Sequence, residues 1–135
     1  QGILGTTLPP NKDQEVKEIN NIKTEDYDIL VLPGGVKAME KVRQEKKIIQ
    51  FVENFDKQKK IIACICSGAQ LLISAKIVKG RKIAGYYSMK DDLINAGAIY
   101  TDKPAVIDNN IVTTAHYKDM GPWMREVINK FNQTS

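Results

Sequence analysis

Cys66 is the residue of this 135-residue chain whose surroundings most favour chemistry. It follows a strand-length apolar run, residues 61–65, and precedes Ser67, Gly68 and a helical pattern of apolar residues. A short continuous apolar run is typical of a buried parallel strand. Gly68 allows a turn too tight for a Cβ, and Ser67 can cap a helix by accepting a backbone N–H bond. We therefore predict a strand, a sharp turn and a helix, with the Cys66 sulfur held at the helix N-terminus.

That position suits a nucleophile. The helix dipole and the unpaired N–H groups of a first helical turn favour thiolate over thiol. The same strand–turn–helix arrangement holds the serine of the nucleophile elbow in hydrolases. The alternative interpretation is that Cys66 is a small buried hydrophobe, as many free cysteines are.

The other cysteine, Cys64, limits the remaining possibilities. A disulfide between Cys64 and Cys66 would be badly strained, because positions i and i+2 of a strand lie too far apart along the chain. A metal site would need more ligands than two cysteines and one histidine. We therefore expect no metal and no cofactor, and the cysteine usage predicts a reducing, cytoplasmic compartment.

Composition places the chain among ordinary single-domain globular proteins, with 42% hydrophobic and 27% charged residues. No apolar run approaches the roughly 20 residues that cross a bilayer, so we expect no membrane partner. The net charge is +4. The basic residues are mixed with acids rather than clustered beside aromatics, so we expect no nucleic-acid partner either.

A second predicted buried strand, residues 29–32, ends at Pro33-Gly34-Gly35. Two glycines there allow backbone N–H groups to approach a ligand or another turn, although an ordinary turn is the alternative. The remaining pattern predicts helices over 38–43, 45–56, 88–96 and 119–131, and strands over 3–8, 16–19, 83–86 and 99–100. It also predicts that Ser88 caps its helix and that a hairpin over 106–113 turns at Asn109-Asn110. This alternation indicates an α/β fold with a mostly parallel sheet closed by an antiparallel hairpin.

Five segments together resemble the ThiJ/PfpI (DJ-one) superfamily, in the same order and spacing. They are Tyr27-Asp28-Ile29-Leu30-Val31-Leu32-Pro33-Gly34-Gly35, Ala63-Cys64-Ile65-Cys66-Ser67-Gly68, Gly80-Arg81-Lys82, residues 91–98 and Trp123-Met124-Arg125-Glu126. The last two segments resemble the PfpI-like branch more closely. The resemblance implies a flavodoxin-like sandwich of the class I glutamine amidotransferase type, with helices on both faces of the sheet.

The resemblance also implies roles for individual residues. The nucleophile falls on Cys66, and the backbone N–H groups of an oxyanion hole fall on Gly35 and on Ser67 or Gly68. A glutamate of the PfpI-like branch, which falls on Glu40, reaches the cysteine site of a neighbouring subunit. The resemblance therefore implies a homo-oligomer, either a dimer or a hexamer. Without it, Glu40 would be interpreted as a solvated helix charge.

Two positions depart from the family pattern. PfpI-like members carry histidine straight after the cysteine, where this chain has Ser67, and a hydroxyl is no general base near neutral pH. The second departure is at His116, in a segment where the family usually shows a Ser-Arg-x-Pro pattern. His116 is the candidate to supply the missing imidazole, although a lone histidine is more often a packed or surface residue. Tyr86 falls where another branch of the family places a histidine near the cysteine.

The chain also lacks the strand and helix with which family members begin. That segment carries a glutamate that hydrogen-bonds the cysteine. Its strand is central in a doubly wound sheet, so its loss would leave a gap in the middle of the sheet. We therefore expect residues 1–135 to be a single ThiJ/PfpI domain that is incomplete at its N-terminus, with the missing strand supplied by another segment or a partner.

Three functions remain open from the sequence. The first is a cysteine enzyme acting on reactive carbonyls, as a glyoxalase or deglycase, or on peptides. Carbonyls are favoured because amide cleavage needs a proton donor for the leaving amine, and Ser67 replaces the usual one. The second is a redox or stress-responsive protein whose cysteine oxidises. The third is a structural domain that kept the fold and lost the chemistry.

Overall fold

The structure is a computed structural model that describes residues 23–134. The strands are β1 (Ile29–Leu32), β2 (Ile61–Ile65), β3 (Lys82–Ile83), β4 (Ile99–Tyr100), β5 (Val106–Asp108) and β6 (Ile111–Thr114). The helices are α1 (Val36–Val42), α2 (Lys46–Lys57), α3 (Ala69–Ser74), α4 (Lys90–Asn95) and α5 (Met120–Thr134). Single 3-10 turns lie at Thr24–Asp26, Cys66–Gly68, Tyr87–Met89 and Tyr117–Asp119.

The strands form two sheets rather than the single sheet that the sequence predicts. Four strands pair in the order β1-β2-β6-β5, and β3 and β4 form a separate two-stranded sheet. The pairings β1–β2 and β2–β6 are parallel, whereas β5 and β6 form the predicted antiparallel hairpin. Asn109 of the hairpin turn has a φ of +53°, a conformation that asparagine tolerates better than most residues.

Helices cover both faces of the four-stranded sheet, and β2 is buried throughout. Ile62 and Cys64 belong to a core with α1 to α4, while Ile61, Ala63 and Ile65 pack with Trp123 and Val127 of α5. Successive side chains of a strand point to opposite faces, so an apolar residue is needed at every position of this strand. This burial explains why the sequence of β2 is a continuous apolar run.

Several predicted elements differ in detail. The strand predicted over 83–86 is shortened to β3, because Tyr86 and Gly85 leave the sheet. Ser88 does not cap α4; it lies inside a 3-10 turn, and Met89 occupies the N-cap position without a side-chain bond. The strands predicted over 3–8 and 16–19 lie outside the described residues.

The position of β1 bears on the predicted gap in the sheet. Within residues 23–134 the four strands of the larger sheet are contiguous, so no interior gap is present among them. Instead, β1 is an edge strand of the described sheet, and Val31 is 47% exposed despite its apolar character. A further strand would therefore have to pair at an edge of this set, beside β1 or β5, and the incompleteness of the domain stays a prediction.

Candidate functional site

The strand–turn–helix arrangement predicted around Cys66 is present. Ile65 has extended backbone, and Cys66 to Gly68 form a 3-10 turn that continues into α3. Cys66 itself has a φ of +59°, which is uncommon for a residue with a side chain. Strain of this kind is typical of functional turns that must aim a side chain, as in the nucleophile elbow. The cysteine is nearly buried, at 8% exposure, on the same side of the sheet as Trp123.

Of the two residues after the cysteine, Ser67 differs from the prediction, whereas Gly68 fits the predicted turn that is too tight for a Cβ. Ser67 makes no side-chain cap; its hydroxyl is buried and lies 3.8 Å from the Cys66 sulfur. Gly68 has ordinary helical backbone, with a φ of −57°, so its value is space rather than conformational freedom. A Cβ there would lie 2.6 Å from the Leu32 carbonyl oxygen and 3.0 Å from the Cys64 sulfur. Only glycine lets the turn pack this closely on β1 and β2.

Gly34, after β1, is the residue that brings the two strand-end turns together. A Cβ on Gly34 would lie 2.7 Å from the Ile65 carbonyl oxygen, 3.1 Å from the Cys66 Cβ and 3.3 Å from the Ser67 nitrogen. The sequence prediction singled out Gly35 instead, because the contact depends on how two distant segments approach. Paired glycines at the end of a buried strand were the available signal.

Backbone N–H groups without an acceptor are present in the two turns at this edge of the sheet. Gly35 precedes α1 with a φ of +88°, and its N–H has no acceptor among residues 23–134. The first N–H groups of a 3-10 turn also lack partners within the turn, which applies to Ser67, whereas the i→i+3 pattern of the turn uses the N–H of Gly68. These groups can receive negative charge on an oxygen bound beside the cysteine, which is the chemistry of an oxyanion hole.

The two cysteines have different environments. Cys64 is fully buried, and this burial raises the pKa of its thiol far above the ordinary value, with a further increase from the nearby Cys66. Cys64 therefore stays a thiol and acts as a core side chain. Cys66, in contrast, lies at the carboxyl end of β2, where ligands of open α/β sheets bind.

His116 lies at the same edge of the sheet, two residues after the end of β6. Tyr86 connects it to the cysteine, because the Tyr86 N–H donates to the Cys66 carbonyl at 3.2 Å and its ring lies 6.5 Å from the His116 ring. The His116 Nδ1 accepts the Lys118 N–H at 3.1 Å and so caps the next 3-10 turn. A neutral imidazole with Nδ1 as acceptor carries its proton on Nε2, which is then a donor rather than a base.

Glu40 is exposed on α1 and lines a cleft with Arg43, Gln70 and Asp92. Cys66 is not among the residues that line this cleft. The structure thus brings Gly34, rather than Gly35, against Cys66 and Ser67, connects His116 to this turn through Tyr86, and leaves Glu40 in a different environment. Among residues 23–134, no group of three potential metal ligands is assembled.

Comparison with known proteins identifies the family. A model of the DJ-1/PfpI family matches residues 4–130. The chain belongs to the DJ-1/PfpI family. It is 40% identical over 109 residues to the deglycase PfpI of Pyrococcus furiosus, which covers 81% of this chain and 65% of that protein. It is 38% identical over 111 residues to general stress protein 18 of Bacillus subtilis, covering 82% of this chain and 64% of that protein.

Solved structures of the DJ-1/PfpI family have the same fold. A two-domain protein from Anabaena variabilis, with a DJ-1/ThiJ/PfpI-like and a ferritin-like domain, matches with a TM-score of 0.81 and 28% identity. The match covers 84% of this chain and 32% of that one. The predicted flavodoxin-like α/β fold is thus confirmed. The matched segment spans just under two thirds of the two curated relatives.

Within residues 23–134, no helix has both the length and the apolar composition that crossing a membrane requires.

Proposed function

We propose that this protein is a cysteine-nucleophile enzyme that acts on reactive carbonyl compounds, with Cys66 as the nucleophile. The observation that carries the proposal is the strained turn, in which Cys66 has a φ of +59° at the start of a helical segment. Such a conformation costs free energy, and strain of this kind persists where it aims a reactive group. The name of the P. furiosus relative, a deglycase, supports the same chemistry.

The first step is addition of the Cys66 thiol to an aldehyde carbon. The sulfur–carbon bond forms, the carbonyl π electrons move to oxygen, and the thiol proton ends on that oxygen, giving a hemithioacetal. The N–H groups of Gly35 and of Ser67 or Gly68 stabilise the negative charge that develops on the oxygen. Backbone donors suit this task because the turn holds them in place before the substrate arrives.

For a 2-oxoaldehyde such as methylglyoxal, the reaction then needs no oxidant. The proton on the former aldehyde carbon moves to the adjacent carbon, and the hydroxyl proton of the hemithioacetal moves to the ketone oxygen. The former aldehyde carbon becomes the carbonyl of a lactate thioester. Water hydrolyses the thioester, releases lactate and restores the thiol, so methylglyoxal and water give lactate. We propose that His116 assists as a donor through Nε2–H to the substrate oxygen, since its Nδ1 is occupied by Lys118.

Peptide hydrolysis is the less favoured reaction of the same site. Cleavage of an amide needs a proton for the leaving amine, and Ser67 stands where the PfpI-like branch carries histidine. His116 Nδ1 accepts the Lys118 N–H, so Nε2 is the nitrogen that can donate. The His116 ring packs beside Tyr86, and His116 does not occupy the position directly after the nucleophile.

The test is lactate formation from methylglyoxal by the wild type, Cys66→Ala and the matched control Cys64→Ala. We expect Cys66→Ala to abolish lactate formation and Cys64→Ala to retain it, because Cys64 is a buried core thiol. Circular dichroism spectra establish that each variant is folded. Lactate formation that survives Cys66→Ala, or that is lost equally in both variants, refutes the assignment of the nucleophile.

A redox or stress-responsive role is the second candidate, supported by the contrast between the two thiols and by the name of the B. subtilis relative. Mild peroxide should oxidise Cys66 to sulfenic or sulfinic acid and leave Cys64 unchanged. The folded protein is treated with peroxide under native conditions, and mass spectrometry of its tryptic peptides then measures oxidation at both cysteines. Equal oxidation of the two cysteines contradicts this role.

The partners and compartment are also proposals. A reducing, cytoplasmic compartment suits two free cysteines.

A role for Glu40 at a cysteine site requires a second copy of the chain, because in its own chain Glu40 lines a cleft that does not include Cys66. Sedimentation analysis of the wild type and Glu40→Gln, together with lactate formation, tests the predicted homo-oligomer. A fully active monomer excludes the role of Glu40 in a neighbouring subunit.

A further inference from the structure

Four rings form a chain of contacts at the carboxyl edge of the larger sheet, and we call this chain the aromatic rim. In order, the rings belong to Tyr87, Tyr86, His116 and Tyr117, and successive centroids are 5.6, 6.5 and 5.8 Å apart. The three tyrosines are each between 37% and 43% exposed. Apolar surface gathered in one exposed place, unlike scattered single residues, is typical of a binding surface.

Backbone hydrogen bonds attach the aromatic rim to the cysteine turn. The Tyr86 N–H donates to the Cys66 carbonyl at 3.2 Å. Two residues earlier, the Ala84 N–H donates to the hydroxyl of Thr113 at 2.8 Å. These bonds join the segment after β3 to the ends of β2 and β6, and β6 leads directly to His116. The rim therefore lies on the β6 side of the proposed nucleophile.

The middle pair of the rim leaves ring surface uncovered. The Tyr86 and His116 rings are inclined by only 29°, with centroids 6.5 Å apart, near the far end of the range in which aromatic rings contact each other. The core rings of Phe51 and Phe55 have the same angle of 29° but are 5.2 Å apart. The wider spacing in the rim lets a further flat ring pack against the pair.

The charge of the rim indicates which kind of ring it would bind. The Lys118 Nζ lies 5.9 Å from the centroid of the Tyr87 ring, a cation–π distance. A cationic ligand would be repelled by this ammonium group, so an uncharged aromatic ring is the better occupant. Tyrosine and histidine rings bind such a group by stacked or edge-to-face contacts.

We propose that the aromatic rim binds the ring of an aryl 2-oxoaldehyde, such as phenylglyoxal, and so makes aryl carbonyl compounds better substrates than alkyl ones. This inference rests on the proposed role of Cys66 as the nucleophile. The thiol adds to the aldehyde carbon, and the same two proton shifts as for methylglyoxal give a thioester of mandelate. Hydrolysis restores the thiol, so phenylglyoxal and water give mandelate without an oxidant.

Alkylation of Cys66 measures this preference without requiring turnover. The probes are 2-bromoacetophenone, which carries a phenyl ring, and bromoacetone, which carries a methyl group in its place. In both, the sulfur displaces bromide, and dividing by the rate with N-acetylcysteine removes the difference in intrinsic reactivity. We expect the normalised rate to be about 10-fold higher for 2-bromoacetophenone, because only this probe gains ring contacts. Mass spectrometry assigns the modified cysteine, with Cys64 as the internal control.

The outcomes separate this proposal from the proposed function. Equal normalised rates for the two probes, with Cys66 modified by both, overturn the aryl preference and leave the nucleophile in place. Failure of both probes to modify Cys66 in the folded protein refutes the nucleophile, and the aryl preference with it.

Variants of the rim give an independent measurement. Tyr86→Leu and Tyr87→Leu remove a ring but keep an apolar side chain, and each should lower the normalised preference for 2-bromoacetophenone by about 3- to 10-fold. The matched control is Tyr27→Leu, because Tyr27 is similarly exposed, at 38%, but precedes β1 at the opposite edge of the parallel strands. Circular dichroism shows whether each variant is folded. An unchanged preference in both rim variants, or an equal loss in Tyr27→Leu, overturns the proposal.

Discussion

Gly34 and Gly35 form a matched pair that tests how the turn after β1 holds the cysteine. Their φ angles are +90° and +88°, so an alanine at either position is forced into a conformation that L-residues rarely adopt. That conformational cost is about 1–3 kcal/mol at each position. Only Gly34 also lacks space, because a Cβ would lie 2.7 Å from the Ile65 carbonyl oxygen, whereas at Gly35 the nearest atom is the Ala38 Cβ at 3.9 Å.

The magnitudes follow from that difference. The Ile65 carbonyl is part of the backbone and cannot rotate away, so Gly34→Ala must displace either β1 or the Cys66 turn. Overpacking of this kind adds about 1–3 kcal/mol to the conformational cost. We therefore expect Gly34→Ala to lower the free energy of unfolding by about 2–6 kcal/mol, and Gly35→Ala by about 1–3 kcal/mol.

Urea unfolding followed by the fluorescence of Trp123 measures both values, because this single tryptophan is buried against the sheet. The rate of Cys66 alkylation by iodoacetamide reports the turn itself, with Cys64 as an internal control. We expect an altered alkylation rate in Gly34→Ala and a rate near that of the wild type in Gly35→Ala. Equal destabilisation by the two substitutions, with unchanged alkylation in both, would refute the view that Gly34 positions the cysteine.

Two further pairs of variants test neighbouring parts of the site. Thr113→Val should lower the free energy of unfolding by about 1–3 kcal/mol, because the Thr113 hydroxyl accepts the Ala84 N–H. Thr114→Val should be neutral or stabilising, because the buried Thr114 hydroxyl has no partner within residues 23–134. Equal losses of the free energy of unfolding in urea contradict this expectation. His116→Asn keeps an acceptor for the Lys118 N–H but lacks the Nε2 donor, so we expect near-normal stability and about 10²-fold slower lactate formation. His116→Ala removes the acceptor as well, so we expect it to lower both the free energy of unfolding and the rate of lactate formation. Normal activity of His116→Asn would reduce His116 to a capping residue.

The chain around Cys66 was predictable because local and tertiary requirements coincide there. The continuous apolar run of β2 reflects burial on both faces, and a glycine two residues after Cys66 reflects the close packing of the turn. The Asn109-Asn110 turn was predictable for a similar reason, because asparagine tolerates a positive φ better than most residues do. These are features that a single segment determines by itself.

The prediction of a Ser67 cap was wrong because tertiary packing decides which residue begins the helical segment. Cys66 takes the left-handed conformation, so Ser67 already lies inside the 3-10 turn and its hydroxyl is directed toward the cysteine sulfur. Nothing in the local sequence distinguishes this arrangement from a serine cap. Sequence reasoning allowed the two glycines to approach another turn, but it did not show that Gly34 makes this contact, because the contact joins segments that are separated by α1 and α2.

The bonding of Arg43 was equally hidden from the sequence. Spacing along α1 favours a pair with Glu40, but the guanidinium instead bonds Gln70 and Ser74 of α3, 27 and 31 positions away. Packing of α1 against α3 decides the outcome, and Glu40 forms no ion pair within residues 23–134. Neither Arg43 nor Gln70 belongs to a motif that the sequence singled out.

The proposed site uses backbone N–H groups to stabilise charge and side chains to transfer protons. The replacement of histidine by Ser67 affects only the second task, so addition to a carbonyl can be retained. In the proposed reaction, charge on the substrate oxygen would be stabilised by N–H groups of Gly35 and of Ser67 or Gly68, and a change of side chain at position 67 leaves all of these donors present. The missing imidazole affects proton transfer instead. Addition of a thiol to an aldehyde returns its own proton to the oxygen, whereas cleavage of an amide must protonate a departing amine. A site with intact backbone donors and an altered proton donor should therefore retain carbonyl addition more readily than peptide hydrolysis.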